Sequence, residues 1–179
     1  MKHTQSYGAL LVSLHWLVAA LIVLVFALGW WMGDMPKGPD KVQTMGWHQT
    51  VGISIFVLAI VRLAWRRLHG VPEMPLTTPI EKLAVLVQIA LYLLMLAIPV
   101  FGYLTSSFGG HAVVVFGSLT IPGITAVDHD VHETMGDLHQ ALAYGLLGLV
   151  ALHVAGALKH HLILRDDVLA RMAPWVRKR

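Results

Sequence analysis

The chain has 179 residues, of which 56% are hydrophobic and only 13% charged, and its mean hydropathy is +0.68. A water-soluble domain of this length needs far more polar residues, so the composition places the chain in a bilayer and leaves a nucleic-acid-binding reading of its pI of about 9.4 with little support. Cysteine is absent, which excludes disulfides and thiolate metal sites.

Four stretches, near residues 9–31, 47–66, 83–104 and 138–161, are long and apolar enough to cross a hydrocarbon core of about 30 Å, which takes roughly 20 residues of helix. Backbone groups in lipid must be satisfied internally, so only helices or closed barrels span. Continuous Leu, Val and Ala runs without strand alternation select helices. The expected fold is all-α: a single domain over 1–179 forming an integral membrane four-helix bundle.

The first stretch follows Lys2 as a secretory signal would. It is longer than a signal core, carries His15-Trp16, and ends in Gly33-Asp34 without a small-residue cleavage pattern, so it is read as a retained span. The connection around residues 70–75 is short and proline-rich. Thr78-Pro79-Ile80-Glu81 then reads as an N-cap, a proline at the first helical position and an acid in the first turn. A long loop over about 105–137 contains Gly109-Gly110 and an apolar run at 113–116 expected to lie at the membrane interface. No internal repeat is visible.

With four spans, both termini and the loop between the second and third spans share one side. That side collects Lys2, Arg66, Arg67, Lys82, Lys159, Arg165, Arg171, Arg177, Lys178 and Arg179, against Lys37 and Lys41 on the other. Basic residues concentrate on the cytoplasmic side, so both termini are expected there.

Four histidines fall within these stretches at two matching depths. His15 and His153 lie a few residues from the cytoplasmic ends of the first and fourth spans, and His48 and His139 lie at the outer ends of the second and fourth. Ionisable side chains are costly in a membrane and mark function. His139 and His153 are 14 residues apart, which on an α-helix gives roughly 21 Å of rise and a return to within about 40° of the same face. One helix thus offers two stacked ligands, and the expected pairs are His15 with His153 and His48 with His139, each the axial set of a b-type haem. Four histidines divided between two depths cannot converge on one non-haem ion, and the lack of cysteine leaves any haem held by coordination alone.

Gly29, 14 residues after His15, shares the ligand face at the outer depth, where a missing side chain would admit a porphyrin edge or a close helix contact. Gly52, Gly145, Gly148 and Gly156 carry the same two readings. Arg62, 14 residues after His48, shares that face at the cytoplasmic depth. It either pairs with a haem propionate or snorkels beside Arg66 and Arg67. His111, His129 and His132 in the outer loop could bind a metal only with a fuller ligand set, and are read as solvated polar sequence.

Taken together, several strings resemble the bacterial cytochrome b561 family along nearly the whole chain. They are His15-Trp16, His48-x-x-x-Gly52-Ile53, Val61-Arg62-Leu63, Leu91-Tyr92-Leu93-Leu94, Phe116-Gly117 before Pro122, and His139 with His153, Lys159-His160-His161, Asp166-Asp167 and Leu169-x-Arg171-Met172. The resemblance implies a dihaem b-type cytochrome of the bacterial inner membrane, multi-pass, with iron ligands at His15, His48, His139 and His153. It also implies electron exchange with a quinone, ubiquinone by family habit, as in a respiratory chain. One member of the family oxidises superoxide and reduces ubiquinone. By the same resemblance His160, seven residues past His153, is the candidate for quinone contact, since imidazole exchanges protons near neutral pH; the alternative is a His pair anchoring a helix end.

Two departures matter. Gln88 stands where many relatives have a histidine in the third span. The outer side carries Asp34, Asp40, Asp128, Asp130, Glu133 and Asp137 against two lysines, about −4 in all, which would repel superoxide and suits a basic periplasmic redox partner. The expected function is electron transfer across the membrane between quinone and a periplasmic partner. The alternatives are a superoxide:ubiquinone oxidoreductase and the membrane cytochrome b subunit of a hydrogenase or dehydrogenase complex.

Overall fold

The structure is a computed structural model that describes residues 7–70 and 78–176. Lys2, residues 71–75 of the proline-rich connection, and Arg177, Lys178 and Arg179 lie outside the described residues. The elements in order are α1 (Ala9–Asp34), α2 (Pro39–His69), α3 (Pro79–Phe108), β1 (Val113–Val115), β2 (Leu119–Ile121), α4 (His129–Lys159), a π-helical turn (His160–Leu164), α5 (Val168–Met172) and a short 3₁₀ turn (Pro174–Val176).

Local chemistry sets most helix boundaries. Gly38 and Pro39 open α2, with Asp40 in its first turn, and Gly70 follows its end at φ 68°, a left-handed conformation natural to glycine. Thr78 and Glu81 form a reciprocal capping box at the start of α3: the Thr78 N–H donates to Glu81 Oε2 at 2.8 Å, and the Glu81 N–H donates to Thr78 Oγ1 at 3.3 Å. Asp128 caps α4 by accepting from the Val131 N–H at 3.0 Å.

The helices exceed the apolar stretches that announce them. α1 continues to Asp34, α2 begins at Pro39 instead of 47, α3 reaches Phe108, and α4 begins at His129 instead of 138. Hydropathy marks the segment that suits lipid, whereas caps and turn residues decide where the helix stops. Three helical segments, Ala9–Asp34, Pro79–Phe108 and His129–Leu164, are long and apolar enough to cross a membrane. α2 is a further helix of 31 residues, apolar through its middle and charged at Asp40, Lys41, Arg62, Arg66 and Arg67.

α1 packs along α2, α2 against α3, and α3 along α4. The backbone of α4 keeps its distance from α1 and α2, and side chains bridge those two gaps. The buried cluster consists of Val18 and Ile22 of α1, Val51, Ile55 and Ala59 of α2, Tyr92 and Met95 of α3, and Leu146 of α4. Much apolar surface instead faces outward, including Leu17, Val23, Val57, Ile60, Leu86 and Leu93, as a lipid-facing bundle requires. Exposed Trp30, Trp31 and Trp47 lie near one end and Trp175 near the other, where amphipathic rings suit membrane interfaces.

The 113–116 run is not a free interfacial segment. Val113–Val115 pairs antiparallel with Leu119–Ile121, and Val113 and Val115 are buried against the bundle. Phe116 (φ 53°) and Gly117 (φ 69°) form the turn, closed by the Ser118 N–H to the Val115 carbonyl at 3.2 Å, and positive φ at both positions matches the twist of a tight hairpin. The Phe116 N–H donates to Thr50 Oγ1 on α2 at 3.0 Å. Strand pairing satisfies backbone groups that an interfacial loop would leave to water.

Candidate haem sites

The four intramembrane histidines occupy two places. His15 of α1 and His153 of α4 have ring centroids 6.2 Å apart at an interplanar angle of 71°. His48 of α2 and His139 of α4 have centroids 6.1 Å apart at 70°. Both pairs cross the gaps where the α4 backbone stands away from α1 and α2. With a metal–imidazole bond of about 2 Å and a ring nitrogen about 1 Å from its centroid, one ion between two rings puts the centroids about 6 Å apart. Each pair could therefore take one metal ion between its rings. Leu146, seven residues from each α4 histidine and 5% exposed, sits at the midpoint of α4 between the pairs, inside the apolar cluster.

The His48–His139 end, which also carries the hairpin, shows how a ligand is aimed. His48 Nδ1 donates to the Val25 carbonyl of α1 at 3.1 Å, and His139 Nδ1 donates to the Ile98 carbonyl of α3 at 2.9 Å. A carbonyl only accepts, so both rings carry their proton on Nδ1 and keep Nε2 free for coordination, which fixes tautomer and orientation together. In each case a glycine lies four residues beyond the accepting carbonyl. A Cβ on Gly29 would come within 3.3 Å of His48 Cε1, and one on Gly102 within 3.0 Å of both His139 Cε1 and Nδ1. The two histidines are thus seated alike, each in a notch made by a carbonyl and a glycine on a neighbouring helix. Pro99, within α3, lies beside the Ile98 carbonyl.

The role expected for Gly29 changes accordingly: its small size makes room for an imidazole, and the porphyrin-edge reading is not needed. Gly102 was not singled out by the sequence, although its place four residues after Ile98 repeats the Val25–Gly29 spacing. Gly52 lines a cavity of roughly 450 Å³ together with both rings, Ile22, Ile55 and Ala143. That volume lies within the usual range for sites that take small organic ligands. A Cβ on Gly52, Gly145, Gly148 or Gly156 would meet nothing within 4 Å.

Near the other pair, Arg62 is buried, its guanidinium carbon 5.5 Å from the centroid of the Tyr92 ring. It does not snorkel outward beside Arg66 and Arg67. Trp16 lies edge-on to His15 at 5.4 Å, donates its Nε1–H to the Met172 carbonyl at 2.7 Å and packs on Trp175, so the C-terminal segment is tied to α1 one residue from His15. His160 opens the π-helical turn, and its Nδ1 meets Asp166 Oδ2 at 2.6 Å. Gln88 is half-buried on α3.

In the loop, His132 Nδ1 donates to the Thr105 carbonyl at 2.7 Å, and the His129 ring stacks on it at 6.3 Å with His129 Nε2 3.4 Å from Glu133 Oε1. Among the described residues no group of three or more His, Asp or Glu side chains converges as a metal site.

Comparison with known proteins gives these histidines a context. Residues 6–175 match the family model of prokaryotic cytochrome b561. Cytochrome b561 homolog 2 of Escherichia coli (strain K12) is 34% identical over 177 residues, covering 94% of this chain and 91% of that protein. The probable superoxide oxidase CybB of Yersinia pestis is 30% identical over 172 residues, covering 95% and 97%. Cytochrome b562 of Cereibacter sphaeroides is 29% identical over 180 residues, covering 96% and 98%. The chain belongs to the prokaryotic cytochrome b561 family and is a membrane cytochrome b of electron transport, with transmembrane helices and a haem-binding function.

Proposed function

We propose that this chain is a dihaem b-type cytochrome of the bacterial inner membrane that passes electrons between a quinone, ubiquinone by preference, and a redox partner on the periplasmic side. One haem is held by His15 and His153, the other by His48 and His139. The observation that carries this reading is the pair of imidazole couples, 6.2 and 6.1 Å between centroids, stacked 14 residues apart on α4. All four long helices span the membrane in this reading, α2 included, because both couples need helices at membrane depth. The basic residues at the terminus-bearing end put both termini in the cytoplasm.

Bound haem supplies one-electron redox chemistry. The protein's own residues orient and insulate: Val25 and Ile98 hold two imidazoles through Nδ1, and the layer around Leu146 keeps water and ions from the space between the couples. At the cytoplasmic end His160, paired with Asp166, is placed to exchange a proton with a quinol.

A second reading is superoxide:quinone oxidoreductase, suggested by the printed name of the Yersinia pestis relative. Against it stand the six acids assigned to the periplasmic side, which disfavour an anionic substrate. The test is a haem-to-protein ratio on purified protein, followed by reduction with superoxide and reoxidation with a ubiquinone analogue. Two haems per chain support the proposal and fewer than two refute it; fast reduction by superoxide without a protein partner selects the oxidase.

A further inference from the structure

Arg62 and Tyr92 are each only 9% exposed in the bundle interior. The guanidinium lies over the tyrosine ring, and both Arg62 Nε and the Tyr92 hydroxyl are buried side-chain atoms without a hydrogen-bond partner. Leaving one such atom unpaired costs about 1–3 kcal/mol, more when the group is charged. Two adjacent orphans beside Ala59 and Met95 in an apolar layer therefore call for a ligand that accepts hydrogen bonds and carries negative charge. A carboxylate meets both needs, because guanidinium and phenol are donors and a carboxylate accepts from each. The charge of Arg62 is felt at both His15 and His153, which places the anion at that couple.

The other couple has no counterpart. The cavity beside His48 and His139 is walled by Gln49, Tyr103, Ser106 and Gln140, with Asp137 as its other ionisable group, and among the described residues no lysine or arginine lines it.

We infer that Arg62 and Tyr92 together grip a propionate of the haem held by His15 and His153, and that this grip keeps that haem at a higher midpoint potential than the haem held by His48 and His139. The inference rests on the dihaem reading above. A fixed positive charge near iron favours the reduced state, an anion such as Asp137 opposes it, and both effects grow where the dielectric is low. Electrons then settle at the terminus-bearing end, next to His160.

The test is an optical redox titration of the purified cytochrome, wild type against Y92F, R62K, R62Q and D137N, with H15A and H48A identifying which component belongs to which couple. Expected are two components, the higher one lost in H15A. R62Q should lower the higher component and leave the other in place, Y92F should lower it by less, R62K should stay near wild type, and D137N should raise the lower component. If the Arg62 and Tyr92 variants move the lower component, or move neither, the inference fails. Should R62Q not assemble, the near-isosteric Y92F still decides. A preparation with fewer than two haems would overturn the dihaem reading itself and is visible in the haem ratio before any titration.

Discussion

Gly102→Ala puts the seating of His139 to a direct test. The new Cβ would lie 3.0 Å from both Cε1 and Nδ1 of the imidazole, closer than carbon atoms approach at their optimal separation of about 3.5–4.0 Å, so the ring must shift by several tenths of an ångström. The 2.9 Å bond from Nδ1 to the Ile98 carbonyl is then stretched or lost. A hydrogen bond of this kind contributes about 1 kcal/mol, and disturbing the partner that orients a metal-bound imidazole typically lowers metal affinity by about 10–100-fold. The same substitution within a helix stabilises the backbone by about 0.5–1 kcal/mol, so the haem-free protein should not lose stability. The expected result is selective weakening or loss of one of two haems, read as haem-to-protein ratio and dissociation rate, with thermal stability of the haem-free form unchanged or higher. Gly29→Ala, whose Cβ would stop 3.3 Å from His48 Cε1, should act in the same direction and more mildly. A Gly102→Ala protein that keeps both haems with wild-type dissociation rates would refute the notch argument.

His153→Ala should remove the haem at the terminus-bearing end and leave the other, seen as a halved haem ratio; retention of both would refute the pairing. Trp16→Phe removes the 2.7 Å bond to the Met172 carbonyl and should cost about 1 kcal/mol, with limited proteolysis of the C-terminal segment as the readout. Thr50→Val deletes the acceptor for the Phe116 N–H and should raise hydrogen exchange at the hairpin without changing the haem ratio. Asp166→Asn weakens the partner of His160 and should slow quinone-dependent reoxidation of the haems while leaving their reduction by dithionite intact.

Membrane placement, helix type and the two depths of histidine follow from the sequence, because they depend on quantities local to each segment: hydropathy over about 20 residues, helical period, and cap residues such as Thr78 and Glu81. The 14-residue spacing of His139 and His153 fixes a common face from helix geometry alone. Only the tertiary structure decided what lies opposite each face. Val25 and Ile98 carbonyls are backbone groups present at every residue, so nothing in their side chains announces that they orient His48 and His139. Gly102 is one of 16 glycines and gains its meaning from an imidazole 37 residues away in the chain. The 113–116 run reads as interfacial by composition and is a buried hairpin because Thr50, on another helix, offers its oxygen to Phe116. Arg62 likewise has a helical face legible in sequence, while its burial over Tyr92 depends on how α2 meets α3. Periodicity within one helix is a property of the chain; the partner across a gap between helices is a property of the fold.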